Sequence, residues 1–455
     1  MSRFSDCFAE IKEKRNLTSV EIAEICGLEK TMVFQWMVGK YLPSTWKKLS
    51  GVLGALRLTS YEYERLQEAY EREKLGDDTY EGIQKVISIM HTLKEKINTT
   101  DRNIMPLCYK VIEYDNHMET IELNNYLDVL QCIQNILSVY AVQTENSIFL
   151  KVDAISEQFS VLLDLLLSEK QVNIYNGEFH NKEQMKENWL LSDDFVMQFS
   201  EDMSQGLFSR DADYIAFIKE KYAKIKGKCK KLFNKSVNMQ EDINRIRGTD
   251  ATLYCMEYVP CISIGLTAQI LDRCIYDEIA EKDFIIGQLI NTFVNNDTIH
   301  VIYNFFNEQG LYRFLESGKF DNFPHDIYES IIFEDRCEIV RNAVSGKMSN
   351  IEMHYFRVKN DAFLNMENVY VEYQSGDVSD LRFQIYRNRT IEQQIEVDND
   401  YIFEIFEKFF VYLINSHYIY SEEETREWML QVVEEWEKNE MIAKNQEACY
   451  DIEQE

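Results

Sequence analysis

The stretch from Ile11 to Leu58 constrains this chain more than any other; it reads IKEKRNLTSVEIAEICGLEKTMVFQWMVGKYLPSTWKKLSGVLGALRL. Apolar residues recur in it at helical spacing in four short blocks: Ile11, then Ile22, Ala23 and Ile25, then Val33 and Trp36, then Leu49, Val52, Leu53 and Leu56. Punctuation separates the blocks. Thr18 or Ser19 can cap the second and Gly27 can close it, while Gly39 followed by Pro43 ends the third. The spacing predicts helices of about ten residues joined by turns of about three or four. By residues alone this is a small all-α bundle, fit for DNA binding, for protein binding or for packing only.

The segments LTSVEIAEICGL, VFQWMVGKYLP and WKKLSGVLGAL resemble the lambda-repressor/Cro-like helix-turn-helix, the Xre family. The register runs without gaps through Leu17, Ala23, Gly27, Val33, Trp36, Gly39, Pro43 and Leu49. The resemblance implies a DNA-binding domain whose recognition helix, from about Glu29 to Val38, enters the major groove. Its outward residues would be Lys30, Thr31, Phe34 and Gln35: Lys and Gln suit purine edges, Thr can bond or touch a thymine methyl, and Phe34 offers apolar contact alone. Ser19 opens the preceding helix, where free backbone amides favour a phosphate. Lys40, Lys47 and Lys48 would add contacts to the DNA backbone. The chain departs from the family at Ser19, where Gln is usual, and at Met37, where Glu is common, which implies weaker phosphate positioning. Because one recognition helix reads few base pairs, the resemblance also implies a homodimer on paired half-sites of double-stranded DNA.

Charge separates the head from the rest. Residues 1–58 hold nine Lys or Arg against six Asp or Glu, a balance of +3, and the other 397 residues carry 39 against 72, a balance of −33. Acidic bulk repels nucleic acid from every surface except the head. It also serves solubility. At 455 residues, with 45% hydrophobic and 13% aromatic content, the chain is expected to fold into several domains and to be neither disordered nor single-cored. Ten Cys form no CxxC pair and read as reduced core thiols, and seven His show no HxxxH or HExxH, so no metal and no cofactor is expected. The N-terminus carries no signal peptide, and the most apolar run, FSVLLDLLL at 159–167, is short and interrupted by Asp164. A cytoplasmic protein without membrane contact is expected.

Four regions follow from the patterning: a helix-turn-helix domain at 1–75, a linking helix at 76–105, and two α+β lobes at 106–240 and 241–455. Thr59 and Ser60 with Glu62 suggest a capping box for a further helix, broken by GDD at 76–78. Ile83, Val86, Met90, Leu93 and Ile97 then form a heptad seam of about two repeats, fit to pair two chains or to be one face of a buried helix. Beyond 106, helical stretches (124–142, 155–169) alternate with strand-like runs (172–179, 194–200, TLYCMEYV, TIHVIYNFF, MHYFRV, VYVEY, LRFQIY), which argues α+β for the body. One internal similarity recurs there. VMQFSEDMS with DADYIAFIKEKY (196–222) parallels VEYQSGDVS with DNDYIFEIFEKF (371–409), matching Val196 with Val371, Asp211 with Asp398, Tyr214 with Tyr401, Ile215 with Ile402 and Ile218 with Ile405. A duplicated strand-helix unit, with a longer hairpin insertion in the second copy, is the reading; chance likeness of two Asp-capped helices is the alternative. The last 35 residues read as an acidic amphipathic helix around Trp428, Val432, Val433 and Trp436.

For catalysis the sharpest candidate is His180, Lys182 and Glu187, an H-x-K-x4-E run that resembles the H-x-K-x4-D box of phospholipase-D-like phosphodiesterases. That chemistry needs two converging boxes, and the second lobe offers His354, Phe356 and Asp361 without the lysine. No phosphate-binding glycine loop or G-x-S-x-G is present. No enzyme is therefore expected. The whole pattern loosely resembles large bacterial regulators of the Xre type, and the expectation is a dimeric transcriptional regulator whose C-terminal region senses a small-molecule or peptide effector. The alternatives are an antitoxin or phage-response component that binds DNA to regulate itself and, more remotely, a phosphodiesterase or its decayed sensor form.

Overall fold

A computed structural model of the chain describes residues 2–98, 110–114, 118–122, 146–150, 159, 162–163, 172–179, 188–199, 205–227, 229–236, 251–296, 299–320, 323, 325–359, 367–376, 379–387 and 390–452. It is an α+β multidomain fold, with helices first and mixed sheets after.

Five helices open the chain: α1 (Arg3–Lys14), α2 (Ser19–Cys26), α3 (Lys30–Met37), α4 (Trp46–Ala55) and α5 (Ser60–Leu75). The first begins well before Ile11, because Phe4, Cys7, Phe8 and Ile11 repeat at i, i+3, i+4 and i+7 and all are buried. Three helix ends use one device. Asn16 (φ 55), Gly27 (φ 64) and Gly39 (φ 69) turn left-handed, and the next amide reaches back to the helix, Leu17 to Lys12 O (3.1 Å), Leu28 to Ala23 O (2.8 Å) and Lys40 to Gln35 O (2.9 Å). This satisfies carbonyls that a helix end leaves open and redirects the chain within two residues. The core so enclosed joins Phe4, Phe8, Ile22, Ala23, Val33, Trp36, Leu49, Val52, Leu53, Leu56, Leu66 and Tyr70. Ile25, read from spacing as part of the second apolar block, is half exposed instead, because α2 turns Ile22 and Ala23 inward.

The capping box of α5 is present, with Thr59 and Glu62 bonding each other's backbone amides. Glu62 also takes the Arg15 guanidinium at 2.6 Å, and Arg15 donates to Leu56 O at 2.9 Å, so one cation ties α1, α4 and α5. After Gly76, α6 runs Asp77–Asn98. Its seam residues Ile83, Val86, Met90 and Leu93 are already buried within the chain, so the seam is one face of a packed helix and is not free to pair two chains. The side chain of Ile97 lies outside the described residues. The compact unit around these helices comprises Met1–Ile87 together with a distant segment, Glu404–Ser421.

The second unit, Ser88–Phe403 with Glu422–Glu455, carries two sheets. The first contains β1 (Lys110–Tyr114), β2 (Met118–Glu122), β3 (Asn146–Leu150), β4 (Val172–Phe179), β5 (Asn188–Leu191), β6 (Val196–Phe199) and β7 (Gln205–Ser209). Helix α7 (Ala212–Lys226), capped by Asp211, lays Ile215, Ile218 and Tyr222 against Tyr175, Trp189, Leu191 and Val196. β8 (Cys229–Lys231) completes the order β1-β2-β7-β6-β5-β3-β4-β8, and β9 (Phe233–Ser236) then edges the second sheet. Between them Leu232, itself buried, donates to Ile174 O (2.8 Å) in the first sheet and accepts from Asp398 N (2.9 Å), the residue that follows a strand of the second.

The second sheet is built from β10 (Ala251–Glu257), then, after α8 (Ala268–Cys274) and α9 (Lys282–Phe293), β11 (Ile299–Phe306). Helices α10 (Glu308–Ser317) and α11 (Phe333–Ser345) precede β12 (Glu352–Arg357), β13 (Val369–Ser375), β14 (Asp380–Arg387) and β15 (Thr390–Val397). Its order is β12-β11-β10-β13-β14-β15-β9, with β10, β11 and β12 parallel and the other pairs antiparallel. Helices α12 (Asp400–Ile414) and α13 (Glu422–Ile452) close the chain; Val432 and Val433 of α13 are buried and Trp428 and Trp436 pack on the same core.

The two sheets share an order of elements. Each has a parallel pair (β3 with β4, β10 with β11), an antiparallel neighbour that opens a three-stranded meander (β5-β6-β7, β13-β14-β15), and a helix after it (α7, α12). The helix match holds in packing, since Ile215 and Ile402, and Ile218 and Ile405, are buried. The strand match shifts by one: residue likeness pairs β6 with β13, whereas sheet position pairs β5 with β13. The helical expectation at 124–142, and nearly all of that at 155–169, lies outside the described residues.

Candidate nucleic-acid interface

The buried Ala23 in the middle of α2 and the left-handed Gly27 at its end let α3 pack on α2, with Val33 and Trp36 driven into the core. What remains outside is a row along α3. Lys30, Thr31 and Phe34 are exposed, Phe34 by 57%, while Gln35 is only half exposed because it flanks the buried Trp36. The Lys30 ammonium stands 3.5 Å from the Glu24 carboxylate of α2, and both side chains are well exposed, so the pair is weak and solvent-screened. Glu29 precedes α3 without a side-chain cap, so its carboxylate satisfies none of the first amides of α3.

Ser19 is the first residue of α2 and is half-buried. The cap is Thr18, whose amide and hydroxyl donate to the Glu21 carboxylate at 2.7 and 2.8 Å. These bonds from Thr18 hold the Glu21 carboxyl below the usual carboxylate range, so an anion already sits at the positive end of α2. A phosphate at Ser19 would share that end with it. Lys40 is exposed, 5.5 Å over the Tyr41 ring, and Lys48 is exposed in the first turn of α4. Lys47 lies in the same turn, and its side chain is outside the described residues. Other cations of the head are engaged away from α3: Arg3 with Asp77, Lys14 and Arg65 with Glu10, and Arg72 with Glu68, Asp77 and Glu81.

Sequence reasoning missed further apolar side chains that the bundle leaves exposed. Val20, Ile25, Val38 and Tyr41 are exposed by 41, 50, 47 and 57%. The signal was present in Val38, which follows Phe34 by one helical turn on the outward row.

Elsewhere the described residues place no catalytic constellation. His354 stacks on Tyr303 (4.7 Å) with Nδ1 2.9 Å from Glu422 and Nε2 3.3 Å from Glu352, and Phe356 packs on Phe305. His180, Lys182, Glu187 and Asp361 lie outside the described residues. Burial pushes the Cys255 and Cys261 thiols up, which makes them poor nucleophiles. Among the described residues no group of His, Cys, Asp or Glu could hold a metal ion, no disulfide forms, and no helix is long and apolar enough to cross a membrane.

The fold is that of an α+β protein headed by a bundle of short helices. No protein-family model matches the chain, and no curated protein matches it. Among solved structures, that of TrmBL2, an archaeal chromatin protein with a novel mode of DNA binding, aligns with 48% of this chain and 88% of its own at 12% identity. The TM-score is 0.18, so this likeness carries no argument.

Proposed function

We propose that the protein is a sequence-specific DNA-binding transcriptional regulator of the Xre type, non-enzymatic and cytoplasmic, acting as a dimer. The observation that carries this is the α2–turn–α3 arrangement with Lys30, Thr31 and Phe34 uncovered on α3 opposite Val33 and Trp36. A helix presented in this way fits the major groove, and Lys40, Lys47 and Lys48 supply the sequence-blind attraction. The body would shift the spacing of two heads when a small molecule or peptide binds its states unequally. Helix α12, whose residues to Phe403 belong to the second unit and whose residues from Glu404 belong to the first, gives that shift a covalent route.

A second reading, a protein-interaction component that binds DNA to regulate itself, is favoured by one observation: Val20, Ile25, Phe34, Val38 and Tyr41 of the bundle are exposed apolar side chains. The experiment is selection of a duplex from a random library by the full-length chain. The Lys30→Ala/Gln35→Ala variant is expected to lose discrimination between the selected site and scrambled duplexes, while Lys47→Ala weakens both equally and, by removing one phosphate contact from each of two heads, lowers the salt slope by about 2. Undiminished discrimination by the double variant would contradict the assignment. Failure to enrich any duplex, with a stoichiometric protein partner in its place, would favour the second reading.

A further inference from the structure

The outward row of α3 is short of hydrogen-bonding readers. Gln35 is half covered, and Lys30, in a weak exposed pair with Glu24, and Thr31 remain, whereas Phe34 and Val38, at i and i+4, are 57 and 47% exposed. An aromatic ring held in water on a packed bundle gains by covering apolar surface, and it cannot bond a base edge. The major-groove face of a base pair offers one apolar feature, the C5-methyl group of a pyrimidine; thymine carries it, and 5-methylcytosine carries it at the same ring position.

Resting on the DNA-binding assignment above, we propose that α3 reads pyrimidine C5-methyl groups, with Phe34 as the residue that touches the methyl and Val38 extending the contact one turn on. The methyl pattern then adds to the sequence preference that Lys30, Thr31 and Gln35 supply. Burial of one methyl against the ring is worth about fourfold in affinity.

The test uses the full-length chain and a duplex selected by it, with each thymine replaced singly by deoxyuridine and, in a parallel selection, cytosine compared with 5-methylcytosine. At one or more positions per half-site, loss of the methyl is expected to weaken binding about fourfold for the wild type and to leave Phe34→Ala unaffected; Phe34→Leu retains part of the sensitivity. A thymine-arm effect assigns thymine, and an effect in the cytosine arm alone assigns methylated cytosine; either supports the proposal. Because Phe34 is exposed, both variants are expected to unfold at the wild-type temperature, and Val38→Ala gives an independent second variant. Salt-sensitive binding that is indifferent to methyl groups in both arms overturns the proposal and leaves the DNA-binding assignment standing. Binding to no duplex at all overturns both.

Discussion

Glu71 of α5 is 6% exposed, and its carboxylate accepts from Tyr412 Oη at 2.9 Å and from Gln67 Nε2 at 3.2 Å, with His417 Nδ1 3.9 Å away. Burial pushes the Glu71 carboxyl up, and the Tyr412 and Gln67 bonds only partly oppose it. Burial also raises the Tyr412 phenol, which keeps it a donor. A carboxyl whose folded pKa is raised contributes stability that is fully present below its unfolded pKa, about 4.3, and lost as pH rises through the folded value. Glu71→Gln keeps an acceptor oxygen for Tyr412 and removes the titration. Thermal unfolding from about pH 4 to 8 should show the wild type losing stability relative to Glu71→Gln as pH rises; parallel curves would contradict the assignment.

At the scale of elements, the turn between α2 and α3 sets how the outward row is presented. Gly27 holds φ 64 with open space where a Cβ would stand, so a side chain there meets backbone strain and no clash. Gly27→Ala is expected to lower stability by about 1 to 2 kcal/mol, read by urea unfolding, with the fold retained; an unchanged midpoint would show that the left-handed turn is not required. This turn was legible because glycine at a helix end has one local cause. The start of α1 was equally available in Phe4, Cys7 and Phe8, yet it stood outside the stretch that the punctuation framed. Less was legible in the second sheet. Gln374, Arg382, Gln394 and Glu396 alternate with apolar residues as on a solvated strand face, but all are nearly buried, with Arg382 held by Asp380 (2.6 Å) and Glu372 (3.5 Å). Sequence alternation reports which residues differ in polarity, and only tertiary cover decides whether the polar side is wet. Val38 is the same lesson reversed: the resemblance already implies an outward Phe34, and the exposed Val38 one turn on extends that apolar row.

For the whole molecule, the proposed DNA binding is constrained by charge. A net charge of −30 would repel a duplex from most of the surface; the first 58 residues, at +3, are where attraction is proposed to survive, since residues 59–87 and 404–421 of the same unit add −4 and −1. The unit containing them also includes Glu404–Ser421, where Ile405 lies against Gly82 and Tyr412 against Glu71. Late residues therefore complete the head, which patterning of the first 75 residues had no means to reveal, since contacts across more than 300 positions leave no local period. Binding is accordingly measured on the full chain. The most direct measurement is its equilibrium affinity for a selected duplex across a salt series. With three lysines per head on phosphates and two heads bound, log affinity is predicted to fall against log salt with a slope of roughly −5. The absence of any salt-sensitive association with duplex DNA would contradict the account.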